Sequence, residues 1–248
     1  MTSCLRHADT ALPPHLTLHT AVDAVELAHE LASWVAQRLR EGLRTRGQAL
    51  LVVSGGSTPT PFFEALSEMT LEWSRVRITL ADERWLPPTH ADSNARLVRT
   101  HLLRGRAAVA CWCPLGDGQG EPQAAQADLD AHLATWPWPA DVVVLGMGSD
   151  GHTASWFPGS PQLPQALDVR GPTRCLAVSA PAEPNVPVPR MTMTARALFD
   201  ARALVVHATG EAKGRLLSQA ARSVDPLVWP ITAVLRQARV PCHVFHVD

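Results

Sequence analysis

Apolar residues recur at Val22, Val25, Leu31, Val35, Leu39 and Leu43, a three-to-four spacing that predicts an amphipathic helix over residues 21–46. Asp23 and Glu26 sit near its start, where negative charge suits the unpaired N–H groups. After a short first strand and this helix, the pattern changes to brief apolar runs at 49–54, 76–81, 174–179, 203–207 and 243–247. Each is long enough for a strand and too short for a helix. Helical patterns fall between them over 94–103, 123–133, 211–222 and 231–237, with another that carries Phe62, Phe63 and Leu66 on its inner face. Strands alternating with helices predict an α/β fold with a mostly parallel sheet covered on both faces.

The run DVVVLGMGSDGHTASWFPGSP at 141–161 adds candidate chemistry to this pattern. Four aliphatic residues after Asp141 predict a strand buried on both faces. Gly146, Gly148 and Gly151 follow at its carboxyl end, where open α/β sheets bind ligands, and the turn presents Asp150 and His152 together. The same residues satisfy G-x-G-x-x-G, but Pro158 and Pro161 stop any helix starting at Gly151 after about two turns. Nor does Asp168, between Pro-containing stretches, stand at the end of a second strand. Dinucleotide binding is therefore disfavoured, and no cofactor is expected.

With 248 residues, 46% hydrophobic content and no break in composition, a single domain over 1–248 is expected. A formal charge of -1 with both signs intermixed argues against nucleic acid or a membrane surface as the main partner, leaving a small molecule. No apolar run approaches the roughly 18 residues of a membrane span, and the first residues lack the apolar segment of a signal peptide. These features predict a cytoplasmic protein, compatible with a monomer although the oligomeric state is left open. The five cysteines are odd in number and scattered, and Cys111 and Cys113, in a CWC strand, read as small core residues rather than zinc or redox ligands. None of the eleven histidines has the H-E-x-x-H spacing, so no metal is expected.

Four strand-end segments concentrate polar residues and glycine: SGGSTP (54–59), ADER (81–84), GMGSDGH (146–152), and PRMTMT (189–194) with GEAKGRL (210–216). In a parallel sheet these loops share one edge. Gly55, Gly56 and Ser57, in front of a helix, supply the N–H donors of a phosphate cradle, although an ordinary capped turn has the same composition. Lys213 stands in the first turn of a helix, where the dipole disfavours a cation unless an anion binds; Glu211 could also neutralise it. Arg84 and Arg190 could be solvated. His152, two residues from Asp150, could hold the loop through backbone bonds or act as a tuned base.

In order, GMGSDGHTASWFPG, DERWLPPTHADSNARL and PRMTMT followed by GEAK resemble the 6-phosphogluconolactonases, in the larger group that includes glucosamine-6-phosphate deaminases. The resemblance covers about residues 49–217. It implies a three-layer Rossmann-like fold related to ribose-5-phosphate isomerase and CoA transferases, and metal-independent hydrolysis of 6-phospho-glucono-1,5-lactone in the pentose phosphate pathway. Two departures stand out: Thr60 occupies a position where many relatives carry Lys, and Trp156 one where they carry Leu. The deaminase pattern has Tyr at the place of Arg84 and a Glu a few residues beyond the His, whereas Thr153 to Pro158 contain no acid. Lactonase is favoured on those residues.

The roles that follow make His152 the base, with Asp150 orienting it or stabilising its charged form. Arg84 stabilises developing negative charge or holds the phosphate, two roles that sequence does not separate. Gly55, Gly56, Ser57, Arg190 and Lys213 are expected to position the 6-phosphate, with Asp82 also among the substrate-binding residues. Ser149 and Ser155 lie outside a G-x-S-x-G elbow, which disfavours an acyl-enzyme. A deaminase-like sugar-phosphate isomerase and a non-catalytic sugar-phosphate sensor remain the alternatives.

Overall fold

The computed structural model describes residues 13, 15–181 and 186–248. Strand β1 (Leu16–His19) leads into helix α1 (Ala24–Arg46), whose N-cap Asp23 accepts from the N–H groups of Val25 and Glu26. Gly47 ends the helix at φ 72°, a left-handed position that suits glycine. Val22 and Val25 lie outside the buried stripe, 88% and 60% exposed, because the helix starts at Ala24 and turns Leu27, Leu31, Val35 and Leu39 inward instead.

The chain continues through β2 (Ala49–Val53), α2 (Thr60–Ser67), β3 (Val76–Leu80), β4 (Asp82–Arg84), α3 (Asn94–His101) and β5 (Cys111–Cys113). Then come α4 (Pro122–Ala134), β6 (Val142–Leu145), α5 (Leu163–Ala166), β7 (Cys175–Val178), β8 (Arg190–Met193) and α6 (Ala195–Leu198). Strand β9 (Leu204–Thr209), α7 (Glu211–Arg222), α8 (Ile231–Arg236) and β10 (Cys242–Val247) complete it.

Seven strands form a parallel sheet in the order β1-β10-β9-β6-β2-β3-β5. Helices cover both of its faces. On β10 alternate side chains point opposite ways: Phe245 and His243 meet Trp34 of α1, whereas a Cβ at Gly214 of α7 would strike His246. The central strands β2 and β6 are buried throughout, as their unbroken aliphatic runs require. Among the described residues no helix is long and apolar enough to cross a membrane.

Two expectations need correction. The runs at 174–179 and 189–194 and the ADER segment do not extend the parallel sheet or end it as loops. They form a second, antiparallel sheet in the order β4-β8-β7. Short alternating segments carry no mark of which sheet they join, and here β3 is followed after one residue by β4, which pairs with β8 instead of continuing the first ladder. Cys113 is buried but Cys111 is exposed, because β5 is the last strand of its sheet. Residues 182–185 of the Pro-rich run, expected to be an ordered loop, lie outside the described residues.

Candidate active site

At the carboxyl ends of β2, β6 and β9 the loops enclose a cavity of about 230 Å³. The wall comes from Ser54 to Pro59 after β2, Asp82 and Arg84 on β4, Gly146 to Gly148 and His152 to Ala154 after β6, and His207 and Lys213. Seven of the nine predicted site residues line it: Gly55, Gly56, Ser57, Asp82, Arg84, His152 and Lys213.

Asp150 reaches the cavity through His152. Its Oδ1 accepts from the His152 backbone N–H at 3.1 Å and lies 2.5 Å from the ring Nδ1. A carboxylate only accepts, so Nδ1 carries the proton, and the neutral ring keeps its lone pair on Nε2. The hairpin-like turn is closed by Gly148 N–H to His152 C=O at 2.8 Å. Gly148 allows the close approach, because a Cβ there would lie 2.1 Å from the imidazole. Beyond the turn Thr153 bonds to the Gly146 carbonyl, and Ala154 adopts φ 48°, an uncommon conformation for a residue with a side chain. Trp156 is fully buried, donating from Nε1 to the Met193 carbonyl at 2.9 Å. This departure thus clamps the loop onto β8, away from the cavity wall.

The cradle faces this turn. Gly56 has φ 99°, and a Cβ at Gly55 would lie 1.9 Å from Asn94 Oδ1, so a larger residue has no room there. Helix α2 begins beyond with no side-chain cap, and Pro61 in its first turn has no N–H to satisfy. Thr60 does not line the cavity. Lys213, in the first turn of α7, donates to the Met147 carbonyl. Burial lowers its pKa while the Asp150 carboxylate opposes that shift. Glu211, a possible neutraliser, pairs with Arg215 instead.

On the opposite wall β4 delivers three charges with three fates. Asp82 is 7% exposed, and its Oδ2 accepts from Ser155 Oγ at 2.7 Å. Glu83 caps α3, accepting from the N–H groups of Asn94 and Ala95 at 2.7 Å each and from Ser93 Oγ at 3.1 Å. Burial raises its pKa, against the pull of those backbone N–H groups. Arg84 enters the cavity wall, anchored by NH1 to the Asp92 carbonyl at 2.6 Å. Arg190 stands directly across from Arg84 on β8 but lies outside the wall. Only 2% exposed, it donates to the Val186 carbonyl at 2.7 Å and lies 5.8 Å from the Phe157 ring centre. Burial lowers its pKa to about 10, although the Asp82 and Glu83 carboxylates favour its charge.

Two polar wall residues, Asn94 and His207, were given no role from sequence, and Ser54 entered only as the first residue of the 54–59 segment. Asn94 ties the cradle to β4 by donating to the Asp82 carbonyl at 2.8 Å, a contact foreshadowed only by its place at a helix start. His207 looks like an ordinary residue of β9, and nothing local marks it. Among the described residues no group of three or more His, Cys, Asp or Glu side chains could hold a metal ion.

A family model for glucosamine-6-phosphate isomerases/6-phosphogluconolactonase matches residues 22–242. A 6-phosphogluconolactonase of Pseudomonas aeruginosa is 47% identical over 229 residues, 92% of this chain and 95% of its own length. One of Neisseria meningitidis serogroup B is 41% identical over 232 residues, 93% of this chain and 98% of its own. The crystal structure of a 6-phosphogluconolactonase from Shewanella baltica superimposes with a TM-score of 0.90 at 40% identity, covering 96% of this chain and all of that one. A monomeric glucosamine-6-phosphate deaminase shares the fold, with a TM-score of 0.74 at 15% identity over 92% of this chain and 97% of its own. The chain belongs to the glucosamine-6-phosphate isomerase/6-phosphogluconolactonase family.

Proposed function

We propose that this protein hydrolyses 6-phospho-D-glucono-1,5-lactone to 6-phospho-D-gluconate, the lactone step of the pentose phosphate pathway, and that it works in the cytoplasm without a cofactor. The observation that carries the mechanism is the His152–Asp150 pair on a wall shared with the 54–59 loop and Lys213. His152 Nε2 takes a proton from water as the water oxygen bonds to the lactone carbonyl carbon. The resulting imidazolium is stabilised by Asp150, and it returns the proton to the ring oxygen as the ester bond breaks. Arg84 faces the charge that develops on the carbonyl oxygen. Gly55, Gly56, Ser57 and Lys213 hold the 6-phosphate, and Asp82, fixed by Ser155, positions the sugar hydroxyls. Arg190 supports the substrate side from behind the wall, where its charge is felt beside Arg84.

The isomerase reading needs a second acid for proton transfer at C2. Asp82 is the sole carboxylate residue on the described wall, and Ser155 already bonds to it. The test is hydrolysis of lactone generated in place by glucose-6-phosphate dehydrogenase. Acceleration over buffer, undiminished by EDTA, supports the proposal. Ammonia release from glucosamine 6-phosphate would support the isomerase, and binding of 6-phosphogluconate at the spontaneous hydrolysis rate would leave a sensor.

A further inference from the structure

Two residues of the cavity wall each carry a buried polar atom with no partner. Among the described residues these are Ser54 Oγ and His207 Nε2, on residues 9% and 4% exposed. The other buried side-chain atoms that lack partners belong to residues away from the cavity wall. A desolvated polar atom left unpaired destabilises the empty protein, and a valine or phenylalanine would avoid that at either place.

The backbone does not explain either residue. Ser54 N–H already donates to the Val144 carbonyl at 3.0 Å, which leaves the hydroxyl over. His207 stands in register with Phe245 of β10, its ring edge-on to Phe62 at 6.2 Å, a setting made for an apolar side chain. Burial drives its pKa down to about 4, so the ring is neutral at physiological pH and carries one N–H donor and one acceptor. Strands β2 and β9 flank β6 on either side, so the two residues sit at neighbouring strand ends. Ser54 immediately precedes the cradle glycines, and β9 runs directly into the helix that carries Lys213.

We propose that Ser54 Oγ and His207 Nε2 are uncharged hydrogen-bond donors to the phosphate oxygens of the ligand, completing the site formed by the cradle and Lys213. The inference rests on the sugar-phosphate reading and names further residues that hold its phosphate. Neutral donors add direction without a second cation, so they strengthen binding while leaving the charge balance with Lys213 and the helix termini.

Calorimetric titration of 6-phosphogluconate, inorganic phosphate and unphosphorylated gluconate tests this on wild type, His207→Phe, His207→Gln and Ser54→Ala. His207→Phe and Ser54→Ala should each weaken 6-phosphogluconate and inorganic phosphate by roughly 10-fold, and His207→Gln, which keeps a donor, should recover most of that. Gluconate binding should not change. Because Phe removes the desolvated nitrogen, the ligand-free melting temperature of His207→Phe should rise by about 2 to 4 °C, opposite in sign to its loss of affinity. Wild-type affinity in both His207→Phe and Ser54→Ala, or an equal loss toward gluconate, overturns the proposal. If His207→Phe folds poorly, Ser54→Ala alone decides in the same way. Weakened phosphate binding in an otherwise inactive protein would defeat the lactonase reading and leave this inference standing; intact binding in the variants with full hydrolysis would do the reverse.

Discussion

Strand β6 ends in a carboxylate environment at both sides, and the two are opposites. At its amino end Asp141 is 1% exposed, ion-paired with Arg46 and accepting from Leu50 N–H at 2.8 Å. Burial raises its pKa, while those two partners pull the other way. A Cβ at Gly42 would strike its Oδ1 at 2.3 Å, so the pocket around it is closed. At the carboxyl end Asp150 keeps 31% of its side chain exposed, and its imidazole partner faces a cavity. The same residue type locks the fold in one place and, in the proposed mechanism, serves a proton carrier in the other. What distinguishes them is whether the carboxylate is sealed against a permanently charged guanidinium, or open and bonded to an imidazole beside the cavity.

The largest effect expected from this contrast is on turnover. His152→Ala should reduce kcat by about 10²- to 10⁴-fold with the melting temperature nearly unchanged. Wild-type turnover in a folded variant would remove His152 from the chemistry. The mirror image belongs at the amino end: Asp141→Ala leaves Arg46 without its carboxylate, held only by the Pro137 and Pro139 carbonyls, and should lower stability by about 3 kcal/mol, with turnover per folded molecule retained. Chemical denaturation followed by assay of the folded fraction measures both quantities. Unchanged stability would show that Asp141 is not the lock described.

Acid stability sharpens the contrast on the cavity side. His207, with a folded pKa of about 4 against 6.5 unfolded, binds its proton first in the unfolded chain. Stability is therefore lost as pH falls from 6.5 toward 4, by roughly 3 kcal/mol over the window for this one residue. His243, pushed down to about 4 by burial and by His19 and Arg38, acts with the same sign. The slope of unfolding free energy against pH should flatten in His207→Phe without vanishing; an unaltered slope would mean that His207 is not held neutral.

How far the sequence could go follows the range of its signals. The run from Asp141 to Leu145, the glycines after it and the 54–59 turn are local patterns, and each lies where it was expected. Helix α7 with Lys213 in its first turn is local in the same way. Arg190 was expected among the phosphate residues, and only the pairing of β8 with β4 shows that it stands across from Arg84 and off the cavity wall. Glu83 lay inside a legible motif, yet its work as a cap depends on where α3 returns to β4. His207 is an ordinary strand residue, and Ser54 one polar residue of the 54–59 turn, until their burial and missing partners are seen in three dimensions.

The central claim is that the carboxyl edge divides into a group that reacts and groups that hold. Kinetics of wild type, His152→Ala and Lys213→Ala on 6-phosphogluconolactone and on unphosphorylated glucono-1,5-lactone test it most directly. Lys213→Ala should lose about 1.5 to 3 kcal/mol of apparent binding to the phosphorylated lactone, seen mainly in KM, and far less on the unphosphorylated one. His152→Ala should lose kcat on both. Lys213 lies close enough to Asp150 for their charges to interact, so the division is not guaranteed by distance. Equal loss on both lactones in a folded Lys213→Ala would place Lys213 in the reacting centre and contradict the account.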